Sequence, residues 1–500
     1  MILASASTLA VDLTKTKSDL LNVVADGDNA GVLALDGGTI YFGQGSGALV
    51  RDGQSFTVAT AQDSVEGTFG TVRANLGILQ PTVSYTANNV NVSLKAGSLA
   101  KYLGTSNSTA LAFASALDAL RSGSYSKLSN LFGNVDLMSP SQVAATFNAL
   151  SPSIIGETQL LQDRQSQQLF GTVSDRLSLL GTGQAHGFTM NAGPAAFAQP
   201  TQTPSPRAQL GLTSSDSAVS MPMAGGVTGF VSMGGDSSRA SYGSGERLGV
   251  GRHNRYYASG IEAPFGNAMV GTALGYAEAN SNAGSDQATS KLTQAAAYAS
   301  LPLGKSAYVG GILAAEHASS DSQRLTTDTV AMFRLSGASH STRYMATAEA
   351  GFRTSIGLGL SLNPRAQLGF SHYSMGGFHE QGGETALDLN SLKVNRLESR
   401  VGARLDGTAH VAGWTVRPNL QADYVRLLSG RKNGVLVSFA AAPDYSFALP
   451  LADSGNGWLE SKGGVELSRG AFTLGFSGQA TVGSAPISDK RGLVSFGYKF

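Results

Sequence analysis

Residues 414–424, WTVRPNLQADY, cannot satisfy both faces of a strand with one solvent. Side chains alternate sides along a strand. Val416, Pro418, Leu420, Ala422 and Tyr424 therefore share one face, and Thr415, Arg417, Asn419, Gln421 and Asp423 the other. LSLNPRAQLGF splits the same way, with Leu360, Leu362, Leu368 and Phe370 against Ser361, Asn363, Arg365 and Gln367. Tyr344, Ala346, Ala348, Ala350 and Phe352 likewise oppose Arg343, Thr347, Glu349 and Arg353. Twelve such segments follow one another, beginning near Val227, His253, Asn267, Ser290, Ser306, Thr342, Gly359, Asn395, Trp414, Gly457, Ala471 and Arg491. A soluble antiparallel sheet alternates too, so the connections have to decide. APFGN, LPLGK, RTSIGLG, HVAGW and SRGAF are tight, whereas the links between them, such as SSDSQRLTTDTVAMFRLSGASH and GGFHEQGGETALDLNSLK, are longer. Tight turns at one end, long loops at the other and an even strand count describe a transmembrane barrel. The expected fold is mainly β, with a 12-stranded antiparallel transmembrane β-barrel over residues 226–500, oily outside and wet within.

The composition agrees. Charged residues are 14% of the chain, below the roughly 25% of soluble domains, and 63 glycines favour turn-rich β structure. With 35 basic and 34 acidic residues the net charge is +1, which gives nucleic acid no electrostatic footprint. The absence of cysteine removes disulfides, thiolate metal sites and Cys nucleophiles together. No 18-residue apolar run occurs, so a membrane would be crossed by strands. The opening MILASASTLAVDLTKTKSDLL lacks a basic start followed by an apolar core and does not read as a signal peptide, so the true start is expected upstream or the chain is a fragment.

Upstream of the barrel the texture changes three times. Residues 1–100 are short β-branched runs separated by Gly, Asp and Asn, which suggests a β-solenoid-like segment or a small sandwich. Residues 101–152 read as connecting helices, with a capping box and Pro at the first turn in Ser139-Pro140-Ser141-Gln142. Residues 153–180 run without proline, long enough as a helix to reach roughly 40 Å and cross a bilayer core of roughly 30 Å. Gln162, Asp163, Arg164, Gln165, Gln167, Gln168 and Asp175 bar it from lipid but suit a polar tunnel. Residues 181–225, rich in Pro, Ala, Thr and Ser, read as a flexible linker.

Signs of catalysis are weak. GQGSGA at Gly43 precedes LVRDGQSF rather than a helix, so it is a turn and not a phosphate cradle. The seven histidines are scattered, His379-Glu380 lacks the second His of HExxH, and no GxSxG elbow occurs. No cofactor, metal site or enzymatic activity is expected. The wet face carries Arg343, Glu349, Arg353, Arg365, Glu398, Arg400, Arg404, Asp406, Arg417, Asp423, Glu460 and Lys462. These pore-lining residues would either grip the helix through charge-assisted hydrogen bonds or stand solvated in the lumen. The chain closes on RGLVSFGYKF, in which Phe496, Tyr498 and Phe500 share a face fit for lipid.

Three stretches in this order, SVEGTFGTVRANLGILQPTVSYTANNVNVSL, FNALSPSIIGETQLLQDRQSQQLFGTVSDRL and the barrel ending in FGYKF, resemble the C-terminal portion of a bacterial autotransporter of type V secretion. The resemblance spans most of the chain. It implies that residues 1–100 are the end of a passenger exported to the cell surface, that 153–180 thread the pore, and that the barrel sits in the outer membrane. It also implies that outer-membrane lipid, the barrel-assembly machinery and the chain's own passenger are partners, that the protein is a monomer, and that Phe496, Tyr498 and Phe500 form the assembly signal. Self-cleaving relatives use an Asn-Asn pair in the pore helix; here none occurs in 153–180, and Asn88-Asn89 lies in the β region. A diffusion porin with a helical plug and a surface adhesin are the alternative readings.

Overall fold

The computed structural model describes all residues except 47–48, 105–106, 123–124, 182–216, 223–226, 242–248, 284–285, 328–331, 431–433, 451–455, 471, 483–489 and 499–500. The first hundred residues stack parallel strands in rungs. Ile2–Leu3, Val32–Asp36 and Ser64–Thr68 form one face, and Thr8–Leu13, Thr39–Gln44 and Thr71–Ala74 a second. Ile2 lies beside Ala34 and Ala34 beside Glu66, an equal step that identifies a solenoid. Val11, Leu13, Leu33, Leu35, Ile40 and Phe42 fill its interior. The antiparallel pair Leu79–Tyr85 and Asn89–Ala96 closes the stack.

Five helices follow, α1 (Leu99–Leu103), α2 (Ser108–Leu120), α3 (Ser129–Val135), α4 (Pro140–Leu150) and α5 (Ser153–Gly181). Ser139 caps α4: its hydroxyl accepts from the Gln142 amide while the Gln142 side chain accepts from the Ser139 amide at 2.8 Å. That exchange satisfies two otherwise orphaned donors.

Most of the remainder is one large antiparallel sheet. Its strands are β1 (Thr228–Ser241), β2 (Gly249–Phe265), β3 (Ala268–Ala283), β4 (Asp286–Leu303), β5 (Ala307–Thr327), β6 (Met332–Phe352), β7 (Leu360–Met375), β8 (Leu392–Gly407), β9 (Trp414–Ser429), β10 (Gly457–Arg469), β11 (Phe472–Val482) and β12 (Lys490–Tyr498). Each pairs with the next in chain order. Ser217–Pro222, in the stretch expected to be linker, adds a strand beside β1. The sheet turns its oil outward: Leu368 and Leu420 are 50% and 56% exposed, while their neighbours Gln367 and Gln421 are 8% and 5% exposed.

One expectation needs correction. SSDSQRLTTDTVAMFRLSGASH is not a long irregular link, because β5 and β6 stay paired from Ala307↔Phe352 out to Thr327↔Met332. Each has 21 residues, roughly 70 Å at full extension. An apolar band about 25 Å tall, crossed at up to about 45°, takes only half of that. The rest stands clear of the bilayer, its outer face away from lipid and its inner face, with Ser322, Arg324 and Leu335, buried against protein, so the oily alternation that marks strands in the sequence disappears.

Candidate functional site

The inner face of the curled sheet meets α5, and the contact is built from polar side chains. Near its first turns Glu157 accepts two hydrogen bonds from Arg252 on β2, from Nε at 2.7 Å and from the terminal nitrogen at 2.8 Å, and a third from Ser281 at 3.2 Å. Near its last turn the roles reverse: Arg176 donates from Nε to Glu262, also on β2, at 2.9 Å, and a second arm completes the fork. Tyr298 adds its hydroxyl to Glu262 at 2.8 Å. All four charged groups are buried. A buried charge is tolerable only when paired and hydrogen-bonded, and both forks meet that condition.

The spacing of these forks is a geometric check. Glu157 to Arg176 is nineteen helical positions, a rise of roughly 28 Å. Arg252 to Glu262 is ten strand positions, roughly 34 Å. The two spans agree when the strand tilts roughly 33° from the helix axis, close to the 35–45° strand tilt of membrane barrels.

Between the forks, neutral amides carry much of the contact. Gln162 donates to Ser320 at 2.8 Å and accepts from Ser341 at 2.9 Å and Tyr373 at 2.6 Å. Gln165 donates to the Ser290 carbonyl at 3.0 Å and accepts from its hydroxyl at 2.7 Å. Ser174 accepts from Gln367 at 2.9 Å. Apolar residues fill the remaining gaps, with Leu169 among Tyr256, Ala277 and Leu292, and with Val173 and Leu177 among Phe230, Tyr298 and Ile312. Glycine on the wall permits this approach at points such as these two. A Cβ on Gly275 would sit 2.7 Å from Leu169, and one on Gly310 would sit 2.8 Å from Leu177.

Of the charges anticipated on the wet face, four reach α5. Arg343 pairs with Asp163, Glu349 accepts from Ser178 at 2.7 Å, Arg365 donates to Ser178 at 3.0 Å, and Lys462 donates to Asp175 at 3.2 Å. The others knit the wall to itself. Arg365 also forks onto Asp423, Arg400 pairs with Glu460 at 2.6 Å, Arg404 with Asp406 at 2.8 Å, and Arg417 with Glu466 at 2.8 Å. Glu398 lies half-buried on β8 opposite Gly369, and Arg353, in the β6–β7 connection, donates its amide to the Ser306 carbonyl at 2.7 Å. Phe496 and Tyr498 occupy β12 opposite Leu474 and Phe472; Phe500 lies outside the described residues. The sequence reading missed Arg252 and Glu262, although both sit at alternating positions of β2, ten residues apart.

A curled antiparallel sheet with an oily outer face and a polar inner face occupied by its own helix defines a membrane β-barrel. Residues 229–479, half of the chain, match the family described as the autotransporter beta-domain, and the chain belongs to that family. No curated protein matches it. Among solved structures it is similar to the translocator domain of the autotransporter NalP from Neisseria meningitidis, at 17% identity over 55% of this chain and 87% of that one, TM-score 0.41. It is also similar to the beta domain of the Bordetella autotransporter Brka, at 16% identity over 55% and 99% with TM-score 0.35. The transport unit of the Escherichia coli autotransporter AIDA-I follows at 11% identity over 66% and 98%, TM-score 0.28. The protein is an outer-membrane translocator of type V secretion that exposes a passenger at the cell surface.

Proposed function

We propose that the chain exports and then anchors its own N-terminal segment, with residues 1–100 as the remaining end of the passenger, 101–152 as a helical connector, 153–180 as the segment threading the barrel of residues 226–500, and 181–225 as the linker between them. The observation that carries this is the pair of forks, Glu157–Arg252 and Arg176–Glu262, which hold both ends of α5 on one barrel strand. On this reading Arg343, Glu349, Arg365 and Lys462 grip the helix, and the remaining wall charges keep the lumen hydrated and rigid. The reading assigns no catalytic step, and a single copy suffices. The alternating aromatics Phe496, Tyr498 and Phe500 serve as the signal read by the outer-membrane assembly machinery.

The test is deletion of 153–181 in the full chain, with an epitope placed upstream of residue 1. Planar-bilayer conductance is expected to rise, and the epitope is expected to vanish from intact cells. A conductive deletion variant that still displays the epitope would leave a diffusion pore with a dispensable plug.

A further inference from the structure

The outer face of the barrel is not evenly filled. Where β4, β5 and β6 run side by side it carries Ala297, Ala299, Gly311, Ala346 and Ala348. The flanking strands carry larger groups, Ile261 and Val270 on β2 and β3 and Leu368 and Phe370 on β7. The small side chains sink between the large ones and leave an open recess of about 810 Å³, bordered also by Leu313. That volume is within the range of pockets that hold small molecules. Its lining is overwhelmingly apolar, and an apolar hollow does not retain water, so within the bilayer hydrocarbon chains fill it.

Above the recess, on the side of the long β5–β6 ribbon, the same strands turn cationic. Arg255, Glu278, Lys291, Ser319 and His340 form one register row across β2 to β6, all on the outer face. The His340 ring stacks on that of His317 with centroids 6.0 Å apart. Glu278 is the single acid of the row, and among the described residues no ion pair occupies Arg255 or Lys291. Tyr257 and Tyr276 are register partners between the two levels, the place of an interfacial aromatic girdle. Ala297 to Lys291 is six positions, roughly 20 Å of strand and roughly 15 Å of height at a tilt of about 40°. Half of a hydrocarbon core of roughly 30 Å is the same depth, so recess and cations lie one leaflet apart.

We propose that this sector of the wall binds one phosphorylated, multiply acylated glycolipid of the outer leaflet, with acyl chains in the recess and phosphates at Arg255 and Lys291. Arginine offers a phosphate a planar fork and lysine a mobile point charge, and the row's cations outnumber its acid. A zwitterionic lipid would fill the recess but leave the cations without a matching charge. A second copy related by a twofold axis along the membrane normal would set this row against itself at equal height, cation facing cation. The site lies outside the lumen and is independent of α5.

The test takes the full chain purified from outer membranes, bisphosphorylated lipid A as the probe, and native mass spectrometry as the readout. One lipid A is expected to stay on each barrel through washing with excess inorganic phosphate or phosphatidylcholine. Arg255→Gln combined with Lys291→Gln is expected to weaken retention several-fold, and Ala299→Phe to do the same by filling the recess with the cations intact. Lys305→Glu, which removes a cation from the tight turn at the other end of β4 and β5, should retain lipid A like the parent. Heat-modifiable migration reports assembly of each variant, and Ala297→Leu takes the place of Ala299→Phe should that chain not assemble. Parent-like retention in the double variant or in an assembled recess variant would overturn the site. So would displacement by inorganic phosphate alone, an equal loss in Lys305→Glu, or a lipid-free dimer that the recess substitution dissolves.

Discussion

Arg252 shows how much a single side chain can hold. Its guanidinium spans both oxygens of Glu157 at a buried site, and removing one member of such a pair leaves an uncompensated charge at a cost of about 3–5 kcal/mol. Arg252→Glu is expected to loosen the outer end of α5 and admit a bulky antibiotic into cells, and the exchange Glu157→Arg with Arg252→Glu is expected to restore exclusion. Gly310→Leu should push Leu177 and the inner end of α5 off the wall, giving rising conductance without loss of barrel assembly, measured in planar bilayers. These residues were hard to read from sequence for a specific reason. β2 carries His253 and Arg255 on its outer face beside Arg252 and Asn254 on its inner one, so charge fails to mark a side there. On β7, Leu362, Pro364 and Ala366 stand cleanly against Asn363 and Arg365, and the inward set was legible.

At the scale of elements, the apolar band is what fixes strand identity. Leu368→Arg and Leu420→Arg place a charge on the outer face, where a basic residue costs roughly 2–4 kcal/mol at the bilayer midplane. Refolding into vesicles is expected to fall for both, whereas Leu358→Arg, in the turn before β7 and 97% exposed, should refold like the parent. Twelve strand positions were legible because each crossing repeats the same oily alternation. Their outer extensions were not, since above the bilayer the outer face meets no lipid and the inner face is buried through polar groups such as Ser322 and Arg324, so neither demands the oily alternation. The cap of α4 was visible in four letters because its chemistry is local, whereas the rungs of the solenoid, with uneven turns between them, became regular only through pairing between distant segments.

At the scale of the molecule, separate apolar cores divide the labour. The solenoid has one, the connector shares a second with the paired strands Leu387–Leu389 and Gly434–Phe439, and α5 has smaller ones with the wall. Cores that share few residues melt separately, so denaturant is expected to release the solenoid, followed by protease digestion, before heat-modifiable barrel migration is lost. The two forks on β2 carry a further meaning. Of the two forked residues of α5, the acid Glu157 lies toward the N-terminal end and the base Arg176 toward the C-terminal end. A helix lodged upside down would press Glu157 toward Glu262 and Arg176 toward Arg252, like against like in a dry wall. The barrel therefore distinguishes head from tail: its occupant has a right way up, and charge alone enforces it.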